Sequence, residues 1–191
     1  MAKRGQSKEL FTASEVARFC QVDLKTIHNW ADRGEIRHFR TPGRHLRFRR
    51  LDVLDFLRKY GYPVPEVLSQ GRPTVHIIEE DAQALAAMEE ALREFFDLTT
   101  FQEPVDALIA VGSDRPDVVV LDVASTKLDG VACVQRLKQM ESTRHVRIVV
   151  YSADESAQQR SLTAGASAFV IRPNVQKLTE TLEALMGTKR Q

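Results

Sequence analysis

The 191 residues carry 27 Lys and Arg against 26 Asp and Glu, a net charge of +1, and 43% of them are hydrophobic. That apolar fraction excludes wholesale disorder, no apolar run approaches the roughly 18 residues of a membrane span, and the length suits two small domains. The charge is divided: Met1 to Tyr62 holds 14 basic against 7 acidic residues, a balance of +7, and the remainder holds 13 against 19, a balance of −6. A basic head on an acidic body points to a polyanion met by the head alone. The opening MAKRGQSKEL is basic but has no apolar stretch behind it, so it does not read as a signal peptide, and the expected compartment is the cytoplasm. Cys20 and Cys133, far apart and each inside an apolar helical pattern, read as core residues of a reducing compartment.

Residues 1–9 read as a flexible arm. A helical pattern begins at Phe11, with Thr12 and Glu15 spaced as a capping box and Val16, Phe19 and Cys20 on one face. After Gln21-Val22, Asp23 is placed to cap a second helix, LKTIHNWADR, which Gly34 stops. Ile27, Trp30 and Ala31 form its core side. Two short strands, residues 36–39 and 45–48, are expected around a Thr41-Pro42-Gly43 turn, followed by a third helix over residues 51–60. The prolines and glycines of residues 61–65 and 71–73 bracket a linker at 63–72. Beyond it the chain alternates buried strands (75–78, 98–101, 118–121, 148–151, 168–171) with amphipathic helices near 82–95, 104–111, 130–140, 156–163 and 175–186. Five βα units with apolar strands imply a parallel sheet covered on both faces over residues 73–187, with residues 188–191 as a tail.

In the head, two helices and a tight turn suit a helix-turn-helix over residues 10–62. The second helix then presents Lys25, Thr26, His28 and Asn29 to base edges in a major groove. The following hairpin carries Arg37, Arg40, Arg44, Arg47, Arg49 and Arg50, a density that suits phosphate contacts. The run Arg40-Thr41-Pro42-Gly43-Arg44-His45-Leu46-Arg47-Phe48 resembles the wing of the MerR/excisionase superfamily, with Arg44 in place of a second glycine and Phe48 in place of a tyrosine. The resemblance covers residues 10 to 60 and implies a winged helix-turn-helix whose wing, including Thr41 and His45, touches the DNA backbone or minor groove. The chain has no clustered Cys ligands, so metal sensing is not expected.

In the body, the carboxyl ends of the strands place Glu79 and Glu80, Asp122, Ser152 and Arg172 where open parallel sheets do their chemistry. Carboxylates there can hold a hard divalent cation, and a hydroxyl with a cation can clasp a phosphoryl group on Asp122. The ordered series VHIIEED, VVVLD, LDG, IVVYSADES, AGASAFV and IRP resembles the response-regulator receiver domain. That resemblance implies a flavodoxin-like (βα)5 fold beside the winged head, an α/β chain overall. It also implies Asp122 as phosphoacceptor, Ser152, Phe169 and Arg172 as switch residues, Glu79, Glu80 and Asp122 as ligands of Mg2+ should the receiver be phosphorylated, and a cis bond before Pro173. Three features depart from the pattern: Glu80 is longer by a methylene, Arg172 stands for a lysine, and Ser125-Thr126 for Met-Pro.

The expected function is a non-enzymatic, sequence-specific transcription regulator that binds double-stranded DNA and is a homodimer. Its receiver would set dimerisation or partner choice, with a histidine kinase or another signalling protein as partner and no membrane contact. An interaction adaptor docking through the receiver is the alternative, and a phosphoryl-shuttling intermediate a third.

Overall fold

The computed structural model describes residues 10–69, 72–125 and 127–187; the expected arm, the tail, Gly71 and Thr126 lie outside them. The chain divides into two compact units, Met1–Gly71 and Arg72–Gln191.

The first unit opens with a three-residue strand, β1 (Leu10–Thr12), so Phe11 is extended and not helical. It lies opposite Phe48 of β3 (Leu46–Arg49), and both rings are fully buried. Thr12 then caps α1 (Ala13–Cys20) in a complete capping box with Glu15. Gln21 ends α1 in the left-handed conformation, and Asp23 caps α2 (Leu24–Asp32) by accepting from the Thr26 amide at 2.7 Å. Gly34, at φ +73, follows the end of α2 as the sequence predicts. The wing is shorter than expected: β2 is Phe39–Arg40, because Ile36 is drawn into the core and His38 turns its ring toward the Ile36 carbonyl. The sheet order is β1-β3-β2, antiparallel throughout.

Two features differ from the sequence expectation. α3 is Arg50–Lys59, and Arg50 is buried with its Nη1 on the Leu68 carbonyl at 3.2 Å. Leu68 belongs to a one-turn helix, α4 (Glu66–Ser69), and is itself fully buried, so part of the segment read as linker is packed structure. Trp30 packs at a tilt against Phe56 (5.0 Å between centroids) and Tyr62, which ties α2 to α3.

The second unit is a five-stranded parallel sheet in the order β5-β4-β6-β7-β8, built from β4 (Thr74–Ile78), β5 (Asp97–Phe101), β6 (Val118–Leu121), β7 (Arg147–Ser152) and β8 (Ala168–Ile171). Counted within the unit this is the 2-1-3-4-5 order of the flavodoxin-like fold. The helices are α5 (Ala82–Leu92), α6 (Pro104–Asp114), α7 (Gly130–Gln139), α8 (Gln158–Ala164) and α9 (Val175–Met186). Every residue of β6 is buried, as a continuous apolar run between two covered faces requires. Ala107, Val111, Val134 and Leu137 from α6 and α7 pack with Val119, Leu121, Ile148 and Val150 in one core. α5 packs on α9, where Leu178, Leu182 and Met186 are buried. No helix of the described residues is long and apolar enough to cross a membrane.

One glycine is a geometric necessity. A Cβ at Gly130, the first residue of α7, would lie 2.5 Å from the Val123 Cα and 3.1 Å from the Asp122 carbonyl. Only glycine allows α7 to start this close to the loop that carries Asp122.

Candidate functional site

The carboxyl ends of β4, β6, β7 and β8 bring Glu79, Asp122, Ser152 and Arg172 into one pocket. Glu79 follows β4 and is 4% exposed; its Oε1 accepts from the Asp81 amide at 2.9 Å. Asp122 follows β6. Its Oδ1 accepts from the Ser152 hydroxyl at 2.5 Å and from the Ala124 amide at 2.8 Å. Its Oδ2 faces the Arg172 Nη1 at 3.2 Å. The other guanidinium nitrogen of Arg172 contacts Glu79, so one side chain bridges both acids. Arg172 is held from below by its own amide, which donates to the Ser152 carbonyl at 3.1 Å, and by the Tyr151 ring 5.1 Å from its guanidinium carbon. Burial pulls its pKa below the ordinary arginine value, the expected sign for a cation taken out of water. The peptide before Pro173 is cis.

Glu80 does not join the other two acids: it accepts from the Ser125 hydroxyl. Nearby, Lys127 holds Glu103 at 2.8 Å, and that hydrogen bond raises the lysine pKa. The expected three-carboxylate cation site is therefore not assembled. Among the described residues no group of three acid, His or Cys side chains is arranged to hold a metal. The physical reason is that the guanidinium already lies between Glu79 and Asp122, while the longer Glu80 reaches Ser125. The residues present do not fit Mg2+. Beside the pocket a cavity of about 180 Å³ is lined by Ile78, Leu108, Leu128 and Cys133 together with Glu80 and Asp122. Phe169, expected as a switch residue, is half-buried against the core. Cys20 and Cys133 are buried free thiols; burial pushes Cys20 up to about 11 and raises Cys133, which keeps both unreactive.

In the first unit Lys25 and Asn29 are exposed on α2, with Thr26 and His28 half-buried beside them. The wing arginines divide into three kinds. Arg37 and Arg44 are exposed. Arg40 is tied back to α2, with Nη2 on the Asp32 carboxylate at 3.0 Å and Nη1 on the Arg44 carbonyl at 3.2 Å. Arg47 folds onto the Leu46 carbonyl at 2.9 Å, Arg49 lies over the Phe39 ring, and Arg50 is buried. A uniform row of six phosphate contacts, as the sequence pattern implied, is thus not what the fold presents. The turn is closed by the Thr41 amide on the His45 carbonyl at 3.0 Å and by the His45 amide on the Thr41 hydroxyl at 3.3 Å. Arg44 sits at φ +62, the conformation that suits the glycine of the resembled wing.

The residues that the sequence did not single out are Asp32, Ser125, Tyr151 and the Ala124 amide. Ser125 was visible only as a departure from a pattern, and Asp32 lay among unremarkable helix charges.

The parallel 2-1-3-4-5 sheet, with Asp122 at its switch point, is matched by comparison with known proteins: residues 75–183 fit the response regulator receiver domain. The chain belongs to the response regulator receiver family. Residues 10–61 match a helix-turn-helix domain family. The transcriptional regulatory protein PrrA of Mycobacterium tuberculosis is 34% identical over 118 residues, 60% of this chain and 50% of that protein. The response regulator PleD of Caulobacter vibrioides is 30% identical over 101 residues, 51% of this chain and 22% of its own. The chain thus spans half the length or less of these curated relatives. A response regulator of Chloroflexus aurantiacus superposes with a TM-score of 0.57 at 22% identity, covering 61% of this chain and 99% of the other. The BeF3-activated DrrB receiver domain gives 0.53 at 21% identity over the same shares. These two structures establish the fold of the receiver.

Proposed function

We propose that the chain is a sequence-specific DNA-binding transcription regulator whose receiver domain sets dimerisation or partner choice. The observation that carries this reading is the pairing of an exposed polar row on α2, Lys25 and Asn29, with an exposed wing tip at Arg44 and a further exposed arginine at Arg37. The relative PrrA carries the name of a transcriptional regulatory protein, which supports it. A single winged head makes few base contacts, so the reading includes binding as dimers or side-by-side copies.

Selection from random duplexes should enrich one motif. The double variant Arg37→Ala, Arg44→Ala should weaken binding to every sequence and flatten the slope of log K against log salt by about 1.8, two phosphate contacts at about 0.9 each. Failure to enrich a motif, or an unchanged slope, would overturn it.

Control of the receiver runs through a partner or through assembly and not through phosphoryl transfer, because both oxygens of Asp122 are already engaged. Incubation with acetyl phosphate and Mg2+ should therefore leave the intact mass unchanged; an adduct lost in Asp122→Ala would show a receiver that accepts phosphate instead.

A second reading, an adaptor that docks proteins through the receiver, draws on Val105 and Ile109, 62% and 68% exposed one turn apart on α6. An adaptor would enrich no motif in the same selection.

A further inference from the structure

Receivers resembling this one are expected to gather their acids around a divalent cation, and here the acids are gathered around something else. Glu79 is almost fully buried, and Asp122 stands beside it. Two carboxylates at this depth repel each other unless a positive charge lies between them. The Arg172 guanidinium supplies that charge with one nitrogen on each acid. Its fork geometry matters: a guanidinium presents two donors on one plane edge, whereas an ammonium is a point charge that satisfies one acid well. Other donors of the chain also reach these carboxylates. Glu79 Oε1 has the Asp81 amide, and Asp122 Oδ1 has the Ser152 hydroxyl and the Ala124 amide. Glu80, the third acid, has been drawn off to Ser125. Each of the three acids thus accepts from at least one donor of the chain.

We propose that Arg172 is a built-in replacement for the receiver's divalent cation, holding the acid pocket in a closed, metal-independent state with Ser152 drawn onto Asp122. The side chain is fixed in place by the Arg172 amide on the Ser152 carbonyl and by Tyr151 beneath the guanidinium, so the charge cannot drift to solvent as an exposed arginine would. A guanidinium, unlike a bound ion, cannot dissociate from the chain. The pocket is then a permanent state and not a switch read by ion and phosphate. This inference stands apart from the DNA-binding reading, since none of its readouts involves DNA.

The test uses the full chain, with Mg2+ followed by thermal melting and Mn2+ by electron paramagnetic resonance. The wild type should melt at the same temperature in Mg2+ and in chelator, and should bind Mn2+ weakly. Arg172→Ala should melt lower in chelator, recover with added Mg2+, and bind Mn2+ on the order of tenfold more tightly or better, as loss of a neighbouring positive charge demands. Adding Asp122→Asn to that variant should abolish the gain. Should Arg172→Ala not fold, Arg172→Lys carries the test: it should bind Mn2+ more tightly than the wild type, because the ammonium leaves one acid unanswered. Wild-type affinity equal to that of the variants overturns the proposal. So does an Arg172→Ala protein whose lost stability no divalent ion restores, since the arginine would then be an ordinary structural ion pair.

Discussion

Replacing Gly130 by alanine isolates the constraint that joins fold and pocket. The added Cβ would meet the Val123 Cα at 2.5 Å, the Val123 Cβ at 3.0 Å and the Asp122 carbonyl at 3.1 Å. Two of these are backbone atoms, which cannot rotate aside, so α7 must retreat by about 1 Å to reach ordinary contact. Overpacking of this kind costs about 1–3 kcal/mol. Against it stands the helix propensity of alanine, worth at most about 1 kcal/mol over glycine and less at a first helical residue. The steric term wins, and a net loss of about 1–2 kcal/mol is expected, a fall of about 0.5–1 M in the urea midpoint at a typical slope. The retreat also carries Asp129, whose carboxylate caps α7 through the Ala132 amide at 3.0 Å. The single tryptophan, Trp30, lies in the first unit, so its fluorescence follows the head while far-UV circular dichroism follows the whole chain. The difference between the two transitions isolates the receiver. A midpoint unchanged or raised in that difference refutes the reasoning: the loop after Asp122 would then yield freely, and helix propensity would be all that Gly130 forgoes.

Three further outcomes follow from the same geometry. Leu68→Ala should destabilise the first unit by about 2–5 kcal/mol, read by Trp30 fluorescence, because the side chain is fully buried; a true linker residue would cost nothing. His76, buried in the interior strand β4, has its pKa lowered by burial, which outweighs the opposing pull of Asp114. Its folded pKa thus lies below the unfolded value of about 6.5, so the unfolded chain takes up the proton first. Stability is complete above that pH and falls as pH drops through it, and His76→Leu should remove this part of the acid sensitivity; equal pH profiles in melting experiments would count against it. Asp32→Ala should change stability by no more than about 1 kcal/mol, since the pair with Arg40 is exposed. By releasing Arg40 toward a phosphate, it should steepen the salt dependence of duplex binding by about one contact, and an unaltered slope would show that Arg40 reaches DNA without being released.

Much of the architecture was written in local patterns that admit few readings. VVVL between turn signals could only be a strand covered on both faces, and β6 is buried at every residue. The Thr12 box, the Asp23 cap and the Gly34 stop are short-range devices whose partners lie within a turn of one another, and all three occur. The misreadings fall where a segment's structure depends on distant residues. β1 is three residues long and exists because β3 pairs with it. α4 has no helical period of its own; the short run EVLS is held by burial of Leu68 and by Arg50 reaching its carbonyl.

The pocket and the wing show the same limit at the level of single side chains. The sequence names an arginine, but the described arginines take different roles. At Arg44 it is exposed on a turn, at Arg40 it is tied to a carboxylate, at Arg50 it is buried against a carbonyl, and at Arg172 it lies between two acids. Six arginines between residues 37 and 50 would, if all met phosphates, give a salt slope near −5.4 at about −0.9 each. Tied and buried arginines cannot contribute until something frees them, so the wing should yield a far smaller slope. The acid side follows the same logic in reverse. Four carboxylates near the strand ends, Glu79, Glu80, Asp81 and Asp122, suggest a strong cation site when counted, yet each accepts from a donor on the chain. Net charge therefore sets the sign of each unit's field, while the hydrogen-bond partners of individual groups decide which charges remain available to a ligand.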